Sequence, residues 1–345
     1  MTEKEVFFET RGSLGLITIN RPNALNALTL NMVREIHPTL KEWANDSKIK
    51  FVVIQATGDK AFCAGGDIRA LYDWGQSSDS RSTNFYYEEY KLNHFIKRFP
   101  KPYIALVNGI VMGGGVGLSV HGSHRIAGEN FSFAMPETGI GLFPDVGGSY
   151  FLSRLPKNIG MYLALTGNRI KSSDAIFLGI SQHFIESKKH GKIIDYLSDG
   201  KNPESFIQDL KLDSSASEIE KISNEIGNLF DAESVEGILE NLENHKGELA
   251  TKSLDTILKK SPTSLKLAHK LITNGKNINF EECMKMEYRV VCRVMSDKDF
   301  YEGVRALIID KDNVPKWDPK TIEEVDNSKI SNFFSSLEDK ELIFD

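Results

Sequence analysis

Short β-branched runs alternate with amphipathic stretches through the first half of the chain, the pattern of strands interleaved with helices. Strands are predicted at Val6 to Thr10, Leu16 to Asn20, Phe51 to Ala56, Tyr103 to Val107 and Phe131 to Ala134. Between them, Leu30, Val33, Ile36, Leu40 and Trp43 recur at helical spacing behind a capping Thr29, with Pro38 expected to kink or split that helix. Tyr86, Tyr87, Tyr90 and Phe95 predict another helix ahead of Pro100 and Pro102. From about Ser187 the β-branched runs give way to charged helical segments through Lys252 and a further helical block from Thr263 to Met295. The reading is an α/β core over residues 1–200 followed by a mostly helical region over 201–345.

The uncharged run from Tyr103 to Val120 has the length of a membrane span but the wrong composition. Asn108 and five glycines crowd it, which fits a buried strand passing through a glycine loop into a helix. No membrane partner is expected. Acidic residues number 48 against 42 Lys and Arg, a formal net charge of −6, and such dilution of basic groups argues against a nucleic-acid partner. Cys63, Cys283 and Cys292 are an odd set in a chain of 345 residues, which argues for a reducing compartment rather than a disulfide framework. With Glu3, Glu5 and Glu9 in the opening stretch, the expectation is a cytoplasmic protein. Ser77, Ser78, Ser80 and Ser82 are read as a polar surface loop.

Several chemical devices are excluded by inspection. Ser149 sits in GGSYF and not in a GxSxG elbow, no P-loop is present, and no glycine cluster satisfies GxGxxG. His121 and His124 could share a helix face, but no third ligand stands nearby at metal-binding spacing, so no metal site is expected.

What remains is two glycine loops and an acidic segment. Phe62-Cys63-Ala64-Gly65-Gly66-Asp67-Ile68 and Val107-Asn108-Gly109-Ile110-Val111-Met112-Gly113-Gly114-Gly115-Val116-Gly117 each follow a strand. A glycine amide at a helix start is unpaired, unshielded and aligned with the positive end of the dipole, which suits an oxygen gaining negative charge. The same glycines also serve tight turns and close packing, and either loop alone is explained that way. In Phe133-Ala134-Met135-Pro136-Glu137-Thr138-Gly139-Ile140-Gly141-Leu142-Phe143-Pro144-Asp145-Val146-Gly147-Gly148, two carboxylates stand in an apolar, glycine-rich run. Desolvation should raise the pKa of Glu137 and make it a better base, with Asp145 either complementing it or capping loop amides.

Taken together, these segments resemble the enoyl-CoA hydratase/isomerase, or crotonase, superfamily, and GGGVGLSVHG, AMPETGIGLFPDVGG, SPTSLK, MEYR and DFYEGVRALIIDKDNVPKWDP are similar to its 3-hydroxyisobutyryl-CoA hydrolase branch. The resemblance implies a spiral of ββα units followed by a helical C-terminal region. It implies that Gly66 and Gly114 are oxyanion donors, that Glu137 is the catalytic carboxylate and Asp145 a second acid. It places Glu89 at the substrate, although helix pattern alone reads Glu89 as exposed. It sets Arg69 near the CoA phosphates and the Asn23-Ala24-Leu25 backbone on the rim that grips CoA. Hydratases of this superfamily carry a Glu shortly after the triple glycine. Here that slot is Gly117, which has no side chain to transfer a proton, so thioester hydrolysis fits better than hydration. The implied substrate is 3-hydroxyisobutyryl-CoA, an intermediate of valine breakdown, with 3-hydroxypropionyl-CoA as a second substrate. CoA enters only as part of that substrate, and no cofactor is required. Glu137 acts either as nucleophile or as base toward water. Hydration or isomerisation on the same scaffold, and a catalytically silent acyl-CoA binding subunit, are the competing readings. The family's oligomers leave a homo-oligomer open.

Overall fold

A computed structural model describes residues 4–205 and 216–344. Among the described residues, nine strands form two sheets. The larger has the order β1 (Val6–Arg11), β2 (Leu14–Ile19), β3 (Phe51–Ala56), β5 (Tyr103–Val107), β7 (His124–Ala127) and β9 (His183–Phe184); the smaller has the order β4 (Ala61–Cys63), β6 (Ile110–Met112) and β8 (Ser132–Ala134). β1 and β2 form an antiparallel hairpin, turned at Gly12 with φ +55°, and every later neighbour in the larger sheet is parallel. Successive pairs β3/β4, β5/β6 and β7/β8 each give one strand to each sheet. That is the expected spiral of ββα turns, because each pair must return through a helical connection before the next parallel strand is laid down.

The sequence pattern explains why the larger sheet holds. Leu14, Leu16, Phe51, Val53, Ile104, Leu106 and Ile126 project on one face at period two and pack with Ile193, Ile194 and Leu197 of the His190–Ser198 helix. Helix α1 (Leu30–Asn45) buries Leu30, Met32, Val33, Ile36, Leu40 and Trp43, and the Thr29 hydroxyl accepts from the Met32 amide at 3.1 Å as its N-cap. The helix runs unbroken through Pro38, so the expected split does not occur. Helices α2 (Ile68–Gln76), α3 (Arg81–Lys97) and α4 (Gly114–Ser119) follow. Ser82 lies in α3 and is buried, so the polar loop ends before it.

Among the described residues strands end at Phe184, and the elements beyond it are helices, which is the change of character expected near Ser187. Compactness groups the residues along other lines. One unit takes residues 1–66, 91–133 and 170–221, and the other takes 67–90, 134–169 and 222–345. Each is assembled from three separate stretches, since a spiral brings together segments remote in sequence. The second unit holds the Val235–Asn244, Pro262–Gly275 and Phe280–Val294 helices, whose apolar faces are buried at helical spacing. None of the three cysteines is in a disulfide, and no described helix is long and apolar enough to cross a membrane.

Candidate active site

Both glycine loops belong to the first unit, and the smaller sheet aligns them. β4 and β6 are parallel neighbours with Ala61 opposite Ile110 and Cys63 opposite Val111, so the chain leaves both strands at the same end, about 5 Å apart. From β4 it enters Gly65 at φ +116° and then Gly66; from β6 it enters Gly113 at φ +43° and then Gly114, the first residue of α4. The Gly114 amide precedes any intrahelical acceptor, and the Gly66 amide donates to no described residue. Contact between the loops is tight. A Cβ added at Gly115 would lie 2.2 Å from the Cys63 carbonyl oxygen, so only glycine lets α4 approach β4 this closely.

The Asn23-Ala24-Leu25 rim is tied to the first loop. Asn23 and Ala24 lie in a 3₁₀ turn, Leu25 is 39% exposed with φ +50°, and its carbonyl accepts from Ala64 N at 3.0 Å while Leu28 N donates to Gly65 O at 2.8 Å. Buried Asn26 locks the turn by accepting from Arg21 N and donating to the Thr57 and Ala61 carbonyls.

The acids belong to the second unit, where the structure brings together Glu89, Glu137 and Asp145. All three are buried, Glu89 to 2% exposure. The expectation of a solvent-facing Glu89 is therefore corrected: α3 is covered along the stripe that carries Tyr86, Glu89 and Tyr90. Burial pushes the Glu137 carboxyl well above the ordinary range, the Asp145 charge adds to that, and nearby Lys260 opposes it only partly. Glu89 is driven up by the same two causes, burial first and Asp145 second. Asp145 is raised by burial to about 7, against the hydrogen bond it accepts from the Tyr90 hydroxyl at 2.9 Å. Glu137 Oε2, Glu89 Oε1, the Tyr86 hydroxyl and the Thr138 hydroxyl lack partners among the described residues. Each such orphan costs about 1–3 kcal/mol. A cluster of them is expensive for a fold and fits a site that a polar ligand completes.

Tyr86, Tyr90, Glu287 and Asn93 are absent from the expected site. Glu287, inside the MEYR string, is fully buried and accepts from Gly147 N at 2.8 Å and Ser149 N at 2.9 Å as well as from the Ser149 hydroxyl. It pins the turn just after Asp145, where Val146 and Gly147 both have positive φ. Burial raises its pKa to about 8. Replacing Glu287 by Ala orphans three buried donors and is expected to lower unfolding free energy by about 3 kcal/mol or more, read by urea denaturation; an unchanged midpoint would show that the turn holds itself. In the first unit, Asn93 is fully buried with neither amide atom partnered, and a Cβ at Gly117 would lie 2.6 Å from its Nδ2.

Arg69 is exposed at the second position of α2 and forms no ion pair among the described residues. His124 lies on β7 and His121 beyond α4, so they share no helix face. No group of three metal-binding side chains occurs among the described residues.

The family model described as "Enoyl-CoA hydratase/isomerase" matches residues 14–334. A mitochondrial 3-hydroxyisobutyryl-CoA hydrolase of Danio rerio is 49% identical over 98% of this chain and 91% of its own length. Two solved structures superpose with 99% of the chain: an enoyl-CoA hydratase from Rhodobacter sphaeroides, fully covered, with TM-score 0.92 and 38% identity, and a carnitinyl-CoA dehydratase from Mycobacterium thermoresistibile, 99% covered, with TM-score 0.95 and 34% identity. The expectation of a cytoplasmic protein is overturned by the relatives, because those of Danio rerio, Xenopus tropicalis and Homo sapiens are all named as mitochondrial. A count of unpaired thiols does not separate one reducing compartment from another. By the span of the family match and the identity to whole-length relatives, this chain belongs to the enoyl-CoA hydratase/isomerase family.

Proposed function

We propose that the protein hydrolyses the thioester of 3-hydroxyisobutyryl-CoA, releasing CoA and the 3-hydroxy acid, with 3-hydroxypropionyl-CoA as a second substrate. The carrying observation is Glu137: a carboxylate buried to 5% exposure, with one oxygen unpartnered and its charged form disfavoured by desolvation. Such a group is a strong base or nucleophile once ionised. In the proposed reaction the Gly66 and Gly114 amides take the thioester oxygen as the carbonyl carbon becomes tetrahedral. Glu137 gives its electron pair either to a proton of the attacking water or to that carbon directly, and both routes need the ionised form. The C–S bond then breaks and CoA leaves, with Asp145, poised near neutrality, as the acid that can protonate the thiolate. On the direct route the acyl group is left on Glu137 as a mixed anhydride, which water then cleaves to the 3-hydroxy acid and the free Glu137 carboxylate. Asp145 and Glu89 also hold the substrate hydroxyl or the water, Arg69 lies toward the CoA phosphates, and the Asn23-Ala24-Leu25 backbone grips the CoA chain. Only water and the thioester are consumed. Such a substrate arises in valine breakdown, which is where we place the enzyme.

Water addition to an enoyl-CoA is the rival reading, and two observations favour it: the solved relatives named as a hydratase and a dehydratase, and the presence of further buried carboxyls. Gly117 weighs against it, because Asn93 occupies the space in which a side chain at that position would lie. Parallel incubation with 3-hydroxyisobutyryl-CoA and crotonyl-CoA separates the readings. Free thiol from the first without loss of the enoyl chromophore from the second supports hydrolysis; chromophore loss alone supports hydration, and neither signal supports a binding subunit.

A further inference from the structure

The proposed chemistry leaves unused a buried carboxamide beside the second glycine loop. Asn93 of α3 is fully buried, and both Oδ1 and Nδ2 lack hydrogen-bond partners among the described residues. A Cβ built on Gly117 would sit 2.6 Å from Nδ2 and 3.0 Å from both Cγ and Oδ1. The amide therefore fills the space a side chain at 117 would take. On a helix that space lies over the preceding turn, because Cα–Cβ bonds tilt toward the N-terminus. For Gly117 the preceding turn is Gly113–Gly114, so the carboxamide abuts α4 at Gly117, one turn along from the Gly114 amide. Either flip of the amide offers one donor and one acceptor there. A hydroxyl group, which both donates and accepts, satisfies the pair and leaves the water to Asp145 and Glu89.

We propose that Asn93 recognises a hydroxyl on the acyl chain and sets a preference for hydroxyacyl over unsubstituted acyl thioesters. The inference rests on the thioesterase reading and adds to it the residue that senses the substituent. Residue type matters here. A carboxyl in this place would exchange a proton with the substrate and open a route to elimination of the hydroxyl, whereas an amide holds the group and moves no proton at neutral pH.

The test compares kcat/KM for 3-hydroxyisobutyryl-CoA and isobutyryl-CoA, read by thiol release, in the wild type, Asn93→Ala, Gly117→Ala and the double variant. Wild type is expected to favour the hydroxylated substrate, and Asn93→Ala to lower that ratio by at least about 10-fold, the usual cost of a lost hydrogen bond in a site built around it. Gly117→Ala, whose Cβ displaces the amide, is expected to lower it too, and the double variant to lose no more than the larger single effect. Should Asn93→Ala fail to fold, Asn93→Ser and Gly117→Ala carry the measurement. A ratio unchanged in folded variants, or equal losses on both substrates, overturns the inference and assigns Asn93 to packing or to water. A wild type that releases thiol from neither substrate overturns the thioesterase reading, and the inference with it; release with an unmoved ratio overturns the inference alone.

Discussion

Replacement of Glu137 by Gln is expected to reduce kcat for thiol release by at least about 10²-fold while leaving the fold intact. Gln has the same shape but neither takes a proton from water nor forms an anhydride with the acyl group. The stability side of the prediction is what makes it specific. Glu137 is buried, its charged form is penalised first by desolvation and then by Asp145, and Oε2 makes no hydrogen bond. A neutral amide relieves the charge penalty, so thermal unfolding should occur at the same temperature or higher as activity collapses. Steady-state thiol release and a melting curve on the same preparation check both halves. Near-normal turnover would remove Glu137 from the chemistry.

The second large effect is expected at Gly115, which touches no substrate in the proposed reaction. Its added methyl would meet the Cys63 backbone carbonyl at 2.2 Å, and neither partner is a flexible side chain: one is helix, the other strand. Gly115→Ala must therefore push α4 off β4 and carry the neighbouring Gly114 amide with it. Displacing one oxyanion donor costs about 3 kcal/mol of transition-state stabilisation, roughly 10²-fold in kcat. Gly191 supplies the control, since a Cβ there meets nothing within 4 Å, and Gly191→Ala should leave both rate and melting temperature in place. Equal kinetics for the two variants would mean that the Gly114 amide is not where the oxyanion forms.

How much of this was legible in the residues depends on how each signal arises. Long β-branched strands and the Thr29-capped helix declare themselves through period and composition, and β3 and β5 fall where the pattern places them. The strands missed, β4, β6, β7 and β9, are two to four residues long, too short for any alternation to register. Glu89 escapes the pattern for a different reason. Tyr86, Glu89, Tyr90 and Asn93 recur at i, i+3, i+4 and i+7 and form one buried stripe of α3, but two of the four are polar and dilute the apolar signal. A polar residue set between two tyrosines on a helical period is itself a mark of a buried functional group. Glu287 carries the same mark, as an acid flanked by Met284, Met286, Val290 and Val291 on the Phe280–Val294 helix, all of them buried. The units' composition from interleaved stretches has no local signature, because it is set by which turns of the spiral pack together.

The pH dependence of kcat/KM bears most directly on the central claim that a desolvated carboxylate does the work. The neutral form of Glu137 predominates below its raised pKa and is inert as base or nucleophile, so activity must fall on the acid side. Because Asp145, raised to about 7, lies beside it, the loss should follow an apparent pKa belonging to the cluster and well above the ordinary carboxyl value of about 4.3. A decline already marked by about pH 6 is the predicted result. A kcat/KM that stays level down to about pH 5 would contradict the account, since burial and the Asp145 charge hold the Glu137 carboxyl well above the ordinary carboxyl range.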